Sequence, residues 1–285
     1  MILPVLRDDA FMRDVAAAEG DPGFRLWWLG QSGFLLQYAG CHLLLDPYLS
    51  DSLTRKYAAS AHPHVRMTER VVAPECLDCV ALVTSSHNHT DHLDAETLGP
   101  VLAANPNARL VVPEANRDFV AARLGIEPVA AVGLDDGAEV EVAGFRLRGV
   151  AAAHEELDVD AAGRHRFLGY LIRFGPWCVY HSGDTVRYPG MAERIAPFRP
   201  DVALLPINGR DPARGVAGNL DGPEAARLAR DVGARLAIPC HYDMFTFNTA
   251  SPTPFLAEAA RLGQRARTLA AGERWSSAEL EGAIR

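Results

Sequence analysis

Three histidines and one aspartate fall within six consecutive residues of this chain. The segment reads His87-Asn88-His89-Thr90-Asp91-His92 and follows a short apolar, β-branched run that is typical of a buried strand. In an extended segment His87 and His89 point to the same side, and a turn after them would bring Asp91 and His92 to the same point. Imidazoles and carboxylates are the usual ligands of zinc and similar divalent ions. The spacing therefore indicates a metal site, provided that other parts of the chain supply further ligands.

Further candidate ligands share one position, at or just past the end of an apolar, strand-like run. They are His154, Asp184 and His241, together with His87 and His89 of the cluster. Loops at strand ends are where α/β folds gather functional side chains. Histidines scattered for solubility would not keep to strand ends, so the pattern predicts one shared site. His42 lies inside a predicted strand and is expected to be structural.

The elements that must position these residues form a mixed α/β pattern. Three strands with short turns (24–29, 34–38 and 41–45) predict an antiparallel meander, and αβ units follow it. The second half repeats this order coarsely, with strands at 139–142, 145–153, 167–174 and 177–180 before αβ units. Helices are predicted at 8–18, 94–104, 114–124, 190–196, 221–232 and 254–263. Further strands are predicted at 80–84, 108–112, 201–205, 234–239 and 267–270.

Two polar segments interrupt this pattern, at 49–74 and 155–166, and the first is long enough to border an active site. It contains His62-Pro63-His64, which could bind metal, although Pro63 and the polar setting favour a solvated loop. Asp46 ends the meander. It is either a turn former or a carboxylate that orients a ligand histidine, and both interpretations stay open at this point.

Composition excludes several classes of protein. The chain has 285 residues, 48% of them hydrophobic, and a formal charge of −8, which argues against binding to nucleic acid through phosphate contacts. No apolar run approaches the roughly 18 residues of a membrane span, and no secretory signal is recognised. Five scattered cysteines fit reduced thiols in a cytoplasmic protein. Cys76 and Cys79 form a lone C-x-x-C, which we interpret as structural or incidental.

With these residues in place, the sequence resembles the metallo-β-lactamase superfamily along nearly all its length. The resemblance implies one domain over residues 1–285, folded as a four-layer αββα sandwich of two mixed sheets with helices on the outer faces. It also implies two metal sites: one ion held by His87, His89 and His154, a second held by Asp91, His92 and His241, and Asp184 bridging them. Asp46 and His181 are expected to support these ligands from behind.

Within that superfamily, several stretches are similar to the L-ascorbate-6-phosphate lactonase branch. They are Trp28 to Gly33, His181 to Asp184, Asp211 to Gly215 and His241 to Phe245. The stretch from His87 to Asp94 also looks like the N-acylphosphatidylethanolamine phospholipase D branch. The first likeness implies a hydrolase that opens a lactone or related ester of a small anionic, sugar-phosphate-like substrate. The second makes a phosphodiesterase the alternative.

The chemistry expected from such a site uses a hydroxide shared by two divalent ions, with zinc or manganese favoured, because each ion lowers the pKa of bound water. Asp91 and Asp184 are the expected catalytic carboxylates, and Asp91 would also pass a proton to the leaving group. Anionic substrate contacts are expected from Tyr48, Asn208, Arg210 and Arg214, with Lys56 and His165 nearby. A small-molecule partner is therefore predicted, and a homo-oligomer is left open.

Three other functions compete with this interpretation. A nuclease should carry a basic face or a substrate-clamping insertion, and neither is recognised in the sequence. A flavin-coupled di-iron reductase would need an added flavin domain and an acidic residue in place of a cluster histidine, whereas a mono-iron dioxygenase stays open. A non-catalytic binding protein would be favoured only by the loss of a ligand.

Overall fold

The computed structural model of the chain describes residues 1–215 and 217–281. The first of its two sheets has the strand order β13-β1-β2-β3-β4-β5-β6. These strands are β1 (Phe24–Gly30), β2 (Gly33–Tyr38), β3 (Cys41–Leu45), β4 (Val80–Thr84), β5 (Arg109–Pro113), β6 (Ala131–Leu134) and β13 (Arg274–Ser276). The second sheet has the order β12-β11-β10-β9-β8-β7. Its strands are β7 (Glu139–Val142), β8 (Phe145–Ala151), β9 (Leu168–Phe174), β10 (Trp177–His181), β11 (Val202–Pro206) and β12 (Leu236–Cys240).

Each sheet has an antiparallel part and a parallel part. In the first sheet β1, β2 and β3 pair antiparallel, whereas β3 to β6 pair parallel. In the second sheet β7 to β10 pair antiparallel, and β10, β11 and β12 pair parallel. The carboxyl ends of neighbouring parallel strands meet at one edge of a sheet, so the loops that follow them can build a shared site.

Helices cover the outer faces of the sheets. They are α1 (Asp8–Ala17), α2 (Ser52–Lys56), α3 (Ala95–Ala104), α4 (Arg117–Leu124), α5 (Met191–Ile195), α6 (Gly222–Asp231), α7 (Thr253–Leu262) and α8 (Ala278–Glu281). Strand β1 shows the layering. Leu26 and Trp28 point into the core between the sheets, whereas the alternate residue Trp27 packs outward with Phe11 and Val15 of α1. The predicted sandwich of two mixed sheets with helices outside is confirmed.

Several predicted boundaries are wrong, and each has a local cause. The strand predicted at 267–270 does not form, since this segment makes a single bridge between Ala266 and Ala237. The chain then turns at Gly272, whose φ is +75°, and the edge strand β13 follows. Strand β6 was not predicted because Ala131–Leu134 is short and contains a glycine. Helix α2 lies inside the predicted loop 49–74.

Asp94 was predicted to cap helix α3, and the helix does begin after it, but the carboxylate accepts other donors. It accepts hydrogen bonds from the Thr97 hydroxyl at 2.6 Å and from the Ser52 hydroxyl at 2.9 Å. Asp94 therefore ties α2 to the start of α3. This contact fixes the short helix that carries Lys56 next to the loop that carries the histidine cluster.

The structure can also be compared with two expectations that were based on composition. All five cysteines lie within the described residues and are free thiols, as the absence of a disulfide framework predicted. Across residues 1–215 and 217–281, no helix combines the length and the apolar character that crossing a membrane requires.

The capping box of α6 gives a stability prediction. The Asp221 carboxylate accepts from the Glu224 backbone N–H at 2.7 Å, and the Glu224 carboxylate accepts from the Asp221 N–H at 3.0 Å. We expect Asp221→Ala to lower the free energy of unfolding by about 1 kcal/mol, because it leaves a helix N–H group without its partner. Urea denaturation measures this change. The exposed control Asp118→Ala should stay within about 0.5 kcal/mol, and an equal loss in both variants would contradict the capping role.

Candidate metal centre

The predicted ligands come together at the edge where the strands end. His87 and His89 follow β4, Asp184 follows β10, and His241 follows β12. Among the described residues, three groups have side-chain donor atoms within 4.8 Å of one another: His87, His89 and His154; Asp91, His92 and His241; and Asp46, His87 and His92. The first two are the ligand groups that the resemblance implied, and each is suited to one metal ion.

Asp184 lies between the two groups. Its Oδ2 is 3.3 Å from His92 Nε2 and 3.4 Å from His241 Nε2, and it is 3.8 Å from His154 Nε2 on the other side. One carboxylate is therefore within reach of both groups. Asp184 Oδ1 is buried and has no hydrogen-bond partner in the described structure, which leaves this oxygen free for an ion.

The second group has the spacing of a tetrahedral site. Asp91 Oδ2 is 3.7 Å from His92 Nε2 and 3.6 Å from His241 Nε2, and Asp184 Oδ2 is 3.3 and 3.4 Å from the same two nitrogens. Ligands about 2.0–2.1 Å from a tetrahedral ion lie about 3.3–3.4 Å apart. These residues therefore fit a divalent ion with little movement.

The Nδ1 atoms of three candidate ligand histidines make hydrogen bonds that hold the rings in place. The His92 Nδ1–H donates to Asp46 Oδ2 at 2.8 Å, and the His154 Nδ1–H donates to the Gly218 carbonyl at 3.0 Å. The His87 Nδ1–H donates to the Ser86 hydroxyl at 3.0 Å, which in turn donates to Asp46. These bonds fix the tautomers and leave each Nε2 lone pair facing the centre. The Nε2 atoms of His87 and His92 are buried and otherwise unpartnered.

Asp46 and His181 occupy different positions behind the ligands. Asp46 is fully buried and accepts from the Ser86 N–H at 3.0 Å and the Thr84 hydroxyl at 3.2 Å, besides His92. Although Asp46 also clusters with His87 and His92, these donors occupy its oxygens, so it acts as an orienting carboxylate rather than a ligand. His181 is buried too, but its Nε2–H donates to the Ser32 carbonyl at 3.0 Å. It holds the β1–β2 turn instead of a ligand.

Burial and mutual charge determine the protonation of the centre. Burial lowers the pKa of His87 well below its usual value and lowers the pKa of His89 to about 4. Burial would also lower the pKa of His92 and His241, but Asp184 and Asp91 reverse the effect. The pKa of His92 is raised well above its usual value, and that of His241 rises to about 9. Burial would raise the pKa of Asp91 and Asp184, yet the adjacent imidazoles hold both well below the usual range.

These pKa shifts indicate that the buried carboxylates of the site need positive charge close to them. Two buried carboxylates remain ionised only because cations face them, and without metal the protonated His92 and His241 supply that charge. Divalent ions would supply it in their place. His87 and His89 of the first group, whose pKa values burial lowers, offer lone pairs directly at neutral pH.

Gln31, in the turn between β1 and β2, also reaches the centre. Its side-chain Nε2 donates to Asp91 Oδ2 at 2.8 Å and is 3.0 Å from His241 Nε2. Its backbone carbonyl accepts from the Trp28 indole at 3.0 Å and from the His241 N–H at 2.9 Å. From the sequence, Gln31 was assigned to a short turn and no role at the centre was predicted. A φ of +50° at a glutamine is an uncommon conformation, and such strained residues concentrate at functional sites.

A cavity of about 370 Å³ opens over the ligands. Its walls include His89, Asp91, His154, Asp184 and His241 from the centre. Its outer part is lined by Leu53, Lys56, Tyr57, His64, Asn88, Thr90, Arg123, Gly215, Ala217, Asn219, Phe247 and Asn248. The loop 49–74 thus borders the site, as predicted. His64 was assigned to a solvated loop, and that interpretation is wrong, whereas His62 is exposed.

None of the four predicted substrate contacts lines the cavity. Tyr48 is 1% exposed and its hydroxyl accepts from the Leu53 N–H at 3.0 Å, so its assignment as a substrate contact is corrected. Arg210 forms an ion pair with Glu224 at 2.5 Å. Arg214 donates to the Asn208 carbonyl at 2.6 Å, and the Asn208 amide donates to Asn248 Oδ1 at 3.0 Å. Arg214 and Asn208 therefore position Asn248, which does line the cavity.

His165 is also committed elsewhere, since its Nδ1 is 3.1 Å from Asp135. Among the residues missed by the sequence analysis, Arg123 donates to the carbonyls of Asn88 and Leu93 at 2.6 and 3.2 Å. It holds the histidine loop against α4. No spacing signal could have found Arg123 or Phe247, because their contacts join distant segments.

The contacts of Gln31 predict a role in metal affinity. We expect Gln31→Ala to weaken the binding of the second equivalent of Zn²⁺ by about 10-fold or more, because Asp91 loses the donor that orients it. Binding of the first equivalent should change little. Titration calorimetry on metal-stripped protein measures both. The control Gln37→Ala removes a buried glutamine that bonds His42 away from the centre, and weakening of both equivalents alike in Gln31→Ala would contradict the assignment.

Comparisons with known proteins agree with this geometry. A family model described as a beta-lactamase superfamily domain matches residues 25–241. A UPF0173 metal-dependent hydrolase of Opitutus terrae is 32% identical over 254 residues, covering 87% of this chain and 98% of the relative.

Two solved structures share the fold. The metallo-beta-lactamase fold protein YhfI from Bacillus subtilis has a TM-score of 0.63 at 17% identity, over 89% of this chain and 99% of its own. The isothiocyanate hydrolase from Delia radicum gut bacteria has a TM-score of 0.70 at 21% identity, over 88% and 98%. The likeness to the lactonase branch stays a prediction. The family model and the Opitutus relative place this chain in the beta-lactamase superfamily, as a member of the UPF0173 metal-dependent hydrolase family.

Proposed function

We propose that this metal-dependent hydrolase uses two divalent ions, zinc or manganese, to open a lactone or related ester of a small anionic substrate. The observation that carries the proposal is the position of Asp184 between two groups of three ligand side chains. Ions held there would polarise the substrate oxygen and make hydroxide available near neutral pH. In the net reaction water adds across the ester bond: its oxygen ends on the carbonyl carbon, and the leaving alkoxide receives a proton.

Asp91 is the proposed proton carrier. Its side chain is 17% exposed, whereas that of Asp184 is 4% exposed, so Asp91 faces both the ligands and the cavity. The Gln31 side chain donates to the same carboxylate oxygen that faces His241. This bond fixes the carboxylate plane, and the second oxygen is left to hold a proton near the leaving group.

In this proposal Lys56 recognises the anionic group of the substrate. The chain has one lysine, and it lines the cavity. No carboxylate of the described residues lies within 4.0 Å of its amine, whereas Arg210 and Arg214 are engaged as described above. Arg123, the other cation on the wall, donates to backbone carbonyls. Lys56 is therefore the cation on the wall best placed to meet a carboxylate or phosphate.

A phosphodiesterase is the second candidate, because two divalent ions held by these ligand groups would also suit the attacking and leaving oxygens of a phosphoryl group. The Lys56 amine would meet a phosphodiester as readily as a carboxylate. The cavity of about 370 Å³ limits either substrate to a small molecule or a small end group.

The first test measures metal content and hydrolysis together, on the native chain and on Asp184→Ala. The substrates are simple lactones, sugar-phosphate lactones and bis(p-nitrophenyl) phosphate. We expect two ions per chain, and a more than about 100-fold loss of kcat in Asp184→Ala, since both ions lose a shared ligand. Asp118→Ala is the control and should keep native rates. One iron per chain, or no hydrolysis with both ions bound, would overturn the proposal.

A second test concerns charge recognition. We expect Lys56→Ala to raise KM for an anionic lactone by about tenfold, because the charge-assisted hydrogen bond is lost. The KM for the matched neutral lactone should not change, and Lys56→Arg should keep most of the preference for the anion. Equal KM increases for both lactones would show that Lys56 shapes the cavity but does not recognise the negative charge of the substrate.

A further inference from the structure

Three rings from two distant segments form one side of the cavity, and we call them the aromatic wall: Tyr57, His64 and Phe247. The centroids of Tyr57 and His64 are 4.3 Å apart with the rings stacked at 19°. The His64 and Phe247 centroids are 4.4 Å apart at 58°. The three rings are thus one continuous surface rather than separate side chains.

Packing of the two loops accounts for only part of the aromatic wall. Beneath it lies a small buried cluster of Tyr48, Leu53, Met244 and Phe245, against which Tyr57 and Phe247 pack with part of their surface. The wall residues remain only partly buried, and the surface they retain lies against the cavity. An apolar surface kept open beside a polar centre is typical of a ligand site.

His64 contributes to this surface as a neutral ring. Its Nδ1–H donates to the His62 carbonyl at 3.1 Å, which fixes the tautomer. Burial lowers the pKa of His64 below its usual value, so the imidazole is uncharged at neutral pH. An uncharged ring that stacks on Tyr57 and contacts Phe247 at a tilt behaves as part of an aromatic surface.

The surroundings favour a planar group over a sugar. Besides the rings, the cavity lining includes Leu53, Gly215 and Ala217. Each hydroxyl of a sugar that is buried against the rings would need its own hydrogen-bond partner, and an unpaired one weakens binding. A flat unsaturated ring requires no partner and gains from stacking. The Lys56 amine, 5.0 Å from the Tyr57 ring centroid, lies where an acidic substituent of such a ring could reach it.

We propose that the aromatic wall binds the non-reacting part of the substrate, and that this part is an aromatic or otherwise planar unsaturated group. The inference rests on the proposed hydrolase function and narrows its substrate class from sugar-phosphate-like esters to aryl esters and lactones. The ions and their ligands act on the ester bond, and the wall selects which ester reaches them.

The test compares dihydrocoumarin, an aryl lactone, with δ-valerolactone, its alkyl counterpart, on the Zn²⁺-loaded chain. We expect Phe247→Leu, which keeps the apolar volume and removes the ring, to lower kcat/KM for dihydrocoumarin by about tenfold and for δ-valerolactone by less than about twofold. Phe247→Tyr should retain the native ratio. His64→Phe should keep the ratio and His64→Ala should reduce it. Equal losses on both lactones, or a native preference for glucono-δ-lactone, would overturn the proposal.

A binding measurement separates this inference from the proposed function. If the native chain with two ions bound hydrolyses none of these lactones, the lactonase proposal fails, and calorimetry then tests the wall alone. Hydrocinnamate should bind about tenfold more tightly than hexanoate to the native chain, and Phe247→Leu should abolish the difference. Equal affinities in the native chain would overturn the aromatic wall as a binding site.

Discussion

The structure depends on one electrostatic constraint, which is the burial of the Asp184 carboxylate among three imidazoles. A buried carboxylate stays ionised only where positive charge faces it. Here His92 and His241, whose pKa values are raised, approach it at 3.3 and 3.4 Å, and His154 lies 3.8 Å away. Each of the three comes from a different loop. Nearly every supporting contact serves this arrangement: Asp46 orients His92, and the Gln31 carbonyl ties the His241 backbone to the β1–β2 turn.

Both sheets bring the side chains that surround Asp184 to the site in the same way. Each has parallel strands whose carboxyl ends lie at the site edge, so residues far apart in sequence are delivered to one point. The backbone is strained where it must turn sharply at this edge. Asp46, His241 and Gln31 have φ values of +38°, +62° and +50°, a region that non-glycine residues rarely occupy. The core behind them stabilises these conformations, which would be costly in an isolated loop.

The side chains that meet at the strand ends could be predicted from sequence because strand ends leave a recognisable signal: an apolar run, then histidine or aspartate. The rest of the site leaves no such signal. His64 and Phe247 contact each other only because two segments that are distant in sequence meet at the cavity, and the Pro63 beside His64 favoured solvent instead. Arg210 and Arg214 were selected for their residue type, yet Glu224 and the Asn208 carbonyl engage them. Charge type predicts a substrate contact only when the competing internal partners are known.

The contrast between the ligands and the residues around them also separates the reaction from the substrate specificity. The ligands of the centre are suited to metal-dependent hydrolysis as a class of chemistry, and they do not define one substrate. In our proposal the substrate is selected by what surrounds the centre, namely α2, the following loop and the segment near Phe247. An arginine-rich chain that has one lysine, and has it beside Tyr57 at the cavity, presents a compact ammonium there instead of a planar guanidinium. The Lys56 amine lies over the Tyr57 ring, 5.0 Å from its centroid, so an acid group that it meets would lie directly beside the aromatic wall. The cation and the aromatic wall can therefore be used by one ligand at the same time.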